Sequence, residues 1–214
     1  LYGDNVGRGY LKIPEKTEHT IYYDELSPLY FFPGDYRLGD KVIDITTIEN
    51  HKVLQGACTD GKYAYIVLEN QAVSPSTDII RKYDVSTWTV VKDSKPLDIG
   101  QGSDLCYNSK TGMLIAAHNM TNDTKISFIN PETLEVTETK TIGYSIHSIT
   151  YNATLDRYVL GTSDGLYFIF VDNDFKNIGD KVVIKRVTGK ITQGMDSDDK
   201  YIYFIESGFN YNYQ

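Results

Sequence analysis

Positive charge, cysteine, tryptophan and long apolar runs are all scarce in this chain. Lys and Arg together number 21 against 29 Asp and Glu, a net charge of −8 with a pI near 5.0. Nucleic acids and anionic membranes are held by clustered Lys and Arg, and no such cluster occurs, so both partner classes are excluded. No apolar stretch reaches the length that crosses a bilayer, so membrane insertion is not expected. The two cysteines, Cys58 and Cys106, are too few for a disulfide scaffold and lack zinc-ligand spacing. They predict two small, buried residues on inner strands. The alternative, a bridge between neighbouring repeats, requires Cα atoms within about 7 Å. The chain opens at Leu1 rather than Met, which predicts an N-terminus further upstream and makes the absence of a signal peptide uninformative.

Tyrosine is abundant, with 18 copies in 214 residues. Tyr favours strands and offers a flat face to sugars or bases. The chain is long enough to bury a core without staples. No segment shows a sustained helical period with caps.

One short pattern recurs four times. It opens at Gln55 (QGACTDGKYAYIVLE), Gln101 (QGSDLCYNSKTGMLIAAH), His147 (HSITYNATLDRYVLGTS) and Gln193 (QGMDSDDKYIYFIES), at a constant interval of 46 residues. A fixed period in the forties denotes one supersecondary unit per repeat. In the first unit, Gln55 to Thr59 reads as a strand and Asp60-Gly61 as a tight turn. Lys62 to Glu69, Asp78 to Asp84 and Trp88 to Lys92 read as three further strands. In the second unit, Asn130, Thr133 and Leu134 match Asp84, Thr87 and Trp88, an Asp/Asn-x-x-Thr-apolar hairpin signature. Asp60, Asn108, Asn152 and Asp198 recur after each first strand, where turn formation is the expected role.

Four antiparallel strands in 46 residues form a propeller blade. The expected fold is therefore all-β, a β-propeller of four-stranded antiparallel blades, with residues 1–214 as one domain. Approximate blades are 9–54, 55–100, 101–146 and 147–192, with 193–214 as a partial closing blade. Gly39-Asp40-Lys41-Val42 repeats Gly179-Asp180-Lys181-Val182 and marks a weaker N-terminal copy, with Leu29 to Thr47 as its third and fourth strands. Gly9 to Tyr23 is expected to supply that copy's first two strands. Five blades closed by residues 1–8 are favoured. A four-bladed ring, and a piece of a longer propeller, remain open.

The phrases ITQGMDSDDKYIYFIES (191–207) and VLQGACTDGKYAYIVLE (53–69) resemble the Gln-Gly-apolar repeats of bacterial and phage propellers. These include phage receptor-binding proteins and teichoic-acid-operon proteins with five blades. The third copy departs from the pattern, with His147-Ser148 in place of Gln-Gly. The resemblance implies a non-catalytic surface-binding domain whose ligand class is a cell-wall glycopolymer. It also implies an extracellular or cell-surface location.

In a propeller the first strand of each blade lines the central channel, so Gln55, Gln101, His147 and Gln193 are expected at its mouth. Neutral amides donate and accept, which suits the hydroxyl groups of a glycan. The same amides also serve to satisfy backbone groups between blades. Asp104 and Asp196 stand three residues after their Gln and form the candidate acid and base of a glycoside hydrolase or lyase. A protein-interaction scaffold is the third reading. The acidic turns Asp172-Asn173-Asp174 and Asp196 to Asp199 lack the ligand spacing of an EF-hand, so no metal and no cofactor is expected. No zinc-protease, nucleophile-elbow or phosphate-loop motif occurs. The tail residues Phe209, Tyr211 and Tyr213 alternate with smaller ones, as a closing strand or a sugar-stacking strip. Sequons stand at Asn119, Asn122 and Asn152. The sequence does not specify an oligomeric state.

Overall fold

The structure is a computed structural model, which describes residues 6–12, 20–22, 45, 48, 50–51, 53–70, 77–119, 124–185 and 190–208. The chain divides into two compact units, one of residues 1–31 with 144–214 and one of residues 32–143.

The 32–143 unit contains two sheets. The first runs in the order β3 (Val53–Thr59), β4 (Tyr63–Asn70), β5 (Thr77–Asp84), β6 (Thr89–Asp93). The second runs β7 (Asp104–Asn108), β8 (Met113–Ala117), β9 (Lys125–Ile129), β10 (Val136–Thr141). Every pairing is antiparallel. The central strands are buried on both faces, which explains their near-continuous apolar runs. The outer strand β6 is exposed along its length. Tyr65, Val67 and Ile80 of one sheet pack with Leu105, Leu114, Ala116 and Ile129 of the other, and this shared core joins the two sheets.

Lys82 fastens the same pair of sheets from the outer side. Its ammonium donates to the Pro131 carbonyl at 3.0 Å, pairs with Glu132 at 3.3 Å and lies 3.9 Å over the Tyr63 ring. Lys92 adds a bond to the Thr133 carbonyl at 2.8 Å.

The other unit also contains two sheets. One holds β11 (Ile146–Asn152), β12 (Arg157–Thr162), β13 (Tyr167–Val171) and β14 (Asn177–Lys185), antiparallel in that order. The short β2 (Thr20–Tyr22) adds to β14 in parallel. The second sheet runs β15 (Lys190–Ser197), β16 (Tyr201–Gly208), β1 (Val6–Lys12). Phe168, Phe170 and Val182 pack with Met195, Ile202 and Phe204 between these sheets.

Each four-stranded antiparallel series, with strands adjacent in chain order, is a propeller blade, and the fold class is all-β propeller as the repeat predicts. β1 does not begin a separate N-terminal blade. It pairs with β16, from Val6↔Ser207 to Lys12↔Tyr201, and so covers a strand that would otherwise be an open edge. The copy at Leu29 to Thr47 lies outside the described residues apart from Ile45. So does the Phe209–Tyr213 tail.

The recurrent polar residues close turns. The Asp60 Oδ1 accepts from the Lys62 and Tyr63 amides, and Oδ2 accepts from the Tyr65 hydroxyl at 2.8 Å. Asp198 repeats the arrangement with Lys200, Tyr201 and Tyr203. Asn108 and Asn152 serve with amide oxygens. In the Asp/Asn-x-x-Thr-apolar hairpins, Asp84 and Asn130 hold the turn, and Trp88 and Leu134 take left-handed φ values of 53° and 59°. Burial of Leu134, 1% exposed, offsets the strain of that conformation. Cys106 is buried and Cys58 half-buried, and the two do not form a disulfide.

Candidate functional site

Three of the four leading residues sit on β-bulges. In β3 the pairing steps from Leu54↔Leu68 to Ala57↔Ile66, so Gln55 and Gly56 together oppose Val67. In β11 it steps from Ile146↔Thr162 to Ser148↔Gly161, leaving His147 as the extra residue. In β15 it steps from Thr192↔Glu206 to Gly194↔Ile205, leaving Gln193 extra. A bulge bends the strand and re-aims one side chain, a device common beside binding sites. Gln101 differs. It precedes β7 on a turn between Gly100 and Gly102, both with positive φ.

The glycine after Gln55 has a separate task. A Cβ on Gly56 would lie 2.5 Å from backbone atoms of Asp104 and Leu105. The Gly56 amide donates to the Gly102 carbonyl at 3.2 Å. Adjacent inner strands of the 32–143 unit therefore approach at a distance only glycine permits.

Within that unit Gln55 and Gln101 converge on one carboxylate. The Gln55 Nε2 donates to the Glu69 Oε2 at 2.7 Å, and the Gln101 Nε2 reaches the same oxygen at 3.4 Å. The Asn119 Nδ2 in turn donates to the Gln101 Oε1 at 2.8 Å. Both Gln residues and Asn119 are half-buried, whereas Glu69 is 4% exposed. Glu69 stands directly opposite Asp78 across β4 and β5. Asp78 is fully buried, and neither of its carboxylate oxygens has a hydrogen-bond partner. Burial, then the charges of Glu69 and Asp98, pushes its carboxyl up to about 8.

His118 lies just after β8, 2% exposed, with Nε2 2.8 Å from the Ser127 hydroxyl. Burial pushes its imidazole down to about 4, so it is neutral at pH 7. His and Ser are nucleophile-pair residue types, but Ser127 has no exposed surface and also shares its hydroxyl with Thr139 at 2.8 Å. That geometry is structural.

In the other unit His147 is 7% exposed, and burial pushes its imidazole below the usual range. Gln193 is half-buried. Asn152 is 1% exposed and donates to the Asp198 carbonyl at 2.6 Å, which binds the inner strands β11 and β15 together and leaves this sequon no accessible side chain. Asn122 lies outside the described residues.

The two candidate catalytic carboxylates fall in different units. Asp104 is buried, and its Oδ1 accepts from the Leu105 amide at 2.9 Å. Asp196 is exposed, with Oδ1 accepting from the Ser197 amide at 2.8 Å and the Thr150 hydroxyl at 3.4 Å. Each is engaged by its own strand. Among the described residues no three His, Cys, Asp or Glu side chains gather as a metal site, and no helix is long and apolar enough to cross a membrane.

Glu69 and Asp78 were not singled out in the sequence as site residues, and Asn119 was noted only as a sequon. A signal for Glu69 existed. The first and fourth copies both end an apolar second strand in Glu, at Glu69 and Glu206, 14 and 13 residues after their Gln. Asp78 and Asn119 follow no repeat position.

No family model matches the chain, and no curated protein is significantly similar to it in sequence. Solved structures are similar in fold. Glutaminyl cyclase from Myxococcus xanthus matches with a TM-score of 0.51 at 10% identity, over 73% of this chain and 74% of that one. A nidogen/laminin complex matches with a TM-score of 0.49 at 10% identity, over 68% of this chain and 52% of that one. The Pan2 WD40 domain of Neurospora crassa matches with a TM-score of 0.42 at 11% identity, over 76% and 65%. At such identities a likeness concerns the fold alone, because one fold hosts many functions.

Proposed function

We propose that this chain is a non-enzymatic binding propeller that recognises an extracellular or cell-surface glycan. The observation that carries the reading is the network of Gln55, Gln101 and Asn119 around Glu69. Two half-buried amides held on one carboxylate, with the Asn119 amide bonded to the second of them, keep donor and acceptor positions at fixed geometry, and a sugar hydroxyl uses both. His147 and Gln193 are the corresponding repeat positions of the other unit. A cell-wall polymer of the kind implied by the Gln-Gly-apolar repeats is the first ligand class to test. A binding or scaffold role suits the fold, and the local engagement of Asp104 and Asp196 favours binding over hydrolysis.

The test is a binding screen on immobilised glycans and purified teichoic acid. Gln101→Ala and Asn119→Ala should each weaken binding about tenfold, the loss of one or two hydrogen bonds to ligand. Wild-type affinity in both variants, or the lack of any glycan ligand for the wild type, would overturn the reading.

A further inference from the structure

The carboxylates of Glu69 and Asp78 present an electrostatic problem within the 32–143 unit. They occupy directly opposed positions on adjacent antiparallel strands, which places both on one face of the sheet. Like charges in that relation repel, and burial of both removes the water that would screen them. Glu69 has the amides of Gln55 and Gln101 as donors. Asp78 has none. The charged groups that act on Asp78 are Glu69 from β4 and Asp98 from the crossover between β6 and β7, both acidic. Gly102 stands where a Cβ would meet Val67, Ile99 and the Asp78 Oδ2.

We propose that Asp78 is held protonated beside Glu69, so that the pair acts as a pH-sensitive latch on the crossover that carries Gln101. A proton supplies the donor that the surroundings of Asp78 lack and removes one of two adjacent buried charges. The crossover is tied at both ends of this pair. The Leu97 amide donates to the Asp78 carbonyl at 2.7 Å, and the Asp78 amide donates to the Leu97 carbonyl at 3.4 Å. Four residues on, Gln101 reaches Glu69. Loss of the proton places a second negative charge inside this clamp and loosens residues 97–102. The stability consequence stands apart from ligand recognition. Only the movement of Gln101 as a ligand contact rests on the glycan reading.

The sign follows from linkage. The folded state holds a proton on Asp78 over a range where the unfolded chain has released it. The stabilisation is complete below about pH 4 and is lost as pH rises to about 8. His118 destabilises the fold in the opposite sense below about 6.5, so the interval from pH 6.5 to 8.5 isolates Asp78. Thermal unfolding of wild type and Asp78→Asn in EDTA tests the proposal over that interval. The wild type should fall in Tm as pH rises, and Asp78→Asn, a neutral mimic of the protonated acid, should show a much smaller fall. Where Asp78→Asn fails to fold, Glu69→Gln serves. Removal of the neighbouring charge should let Asp78 ionise at lower pH and move the wild-type fall downward. The carboxyl carbon resonance of Asp78 should titrate well above the ordinary aspartate range. Parallel pH profiles in wild type and variants, or an ordinary Asp78 titration, overturn the proposal. So does a wild-type Tm that rises with millimolar Ca²⁺ when that of Asp78→Asn does not, since the pair would then hold a metal and not a proton.

Discussion

Replacement of Gly56 by alanine should be among the most damaging single-methyl additions in the chain. The new Cβ would lie 2.5 Å from the Asp104 carbonyl carbon and Cα and from the Leu105 nitrogen. Ordinary carbon contacts begin roughly 1 Å further out, so β3 and β7 must part by about that distance. The neighbours are backbone, not the flexible end of a side chain, and no rotamer change relieves the clash. Overpacking of this kind costs typically 1–3 kcal/mol, and an unyielding neighbour places Gly56→Ala near the top, about 3 kcal/mol. For a chain of this size about 3 kcal/mol corresponds to a fall in Tm of roughly 6–12 °C. Gly61→Ala is the control. Gly61 has φ +91° and no atom within 4 Å of its added Cβ, so only backbone strain opposes alanine there, about 1 kcal/mol or roughly 2–4 °C. Scanning calorimetry of both variants decides the matter. A Gly56→Ala protein that melts within 2 °C of wild type, or above Gly61→Ala, refutes the close-approach account of the Gln-Gly pair.

Two further outcomes follow from buried polar groups. Lys82→Met should lower stability by about 1–3 kcal/mol in denaturant unfolding, because it removes the bonds to Pro131 and Glu132 and the cation over Tyr63 while keeping most of the packed volume. His118 is buried and neutral in the folded state, whereas the unfolded chain protonates it near pH 6.5, so its own contribution falls as pH drops from about 6.5 to 4 and opposes that of Asp78; the Tm of His118→Gln, which keeps a polar group toward Ser127, should therefore rise relative to wild type through that range in a pH series.

Strand order was legible because each strand obeys local chemistry. Apolar runs of five to eight residues between Asp or Asn turns left little choice of element. The turn series Asp60, Asn108, Asn152 and Asp198 was equally legible, since an Asx side chain satisfies backbone two or three residues away, within the reach of sequence reasoning. Closure by the N-terminal segment was expected, but the register of β1 on β16 was not legible. Pairing with β16 spans most of the chain, and nothing in VGRGYLK distinguishes β16 from any other open edge. The positions of Gln55, Gln101, His147 and Gln193 in the repeat were found, but the bulges at Gln55, His147 and Gln193 were not. A bulge is one residue of slippage between two strands, and the composition of either strand alone does not record it.

That slippage bears on why the leading position tolerates Gln or His while its neighbours are constrained. A residue in regular register must alternate faces with its neighbours, and on β11 every position is buried. The extra residue of a bulge is released from that alternation, so its side chain is free of the core's demand for apolar volume. Polar side chains can then be carried at the start of an otherwise buried strand at little cost in packing. In the first copy the released residue is Gln55, and Glu69 on the second strand meets its amide. Opposite Glu69 the chain then carries a second buried acid, Asp78, which no fold requirement explains. Gly56 belongs to the architecture, as the strand contact that lets the sheets close on each other. Gln55, Glu69 and Asp78 go beyond it, and buried polar groups that packing does not need are retained at a cost in stability. The chemistry of this chain is therefore to be sought at the bulged ends of the inner strands and not in the turns at their other ends, where Asp60 and Asp198 already hold backbone amides.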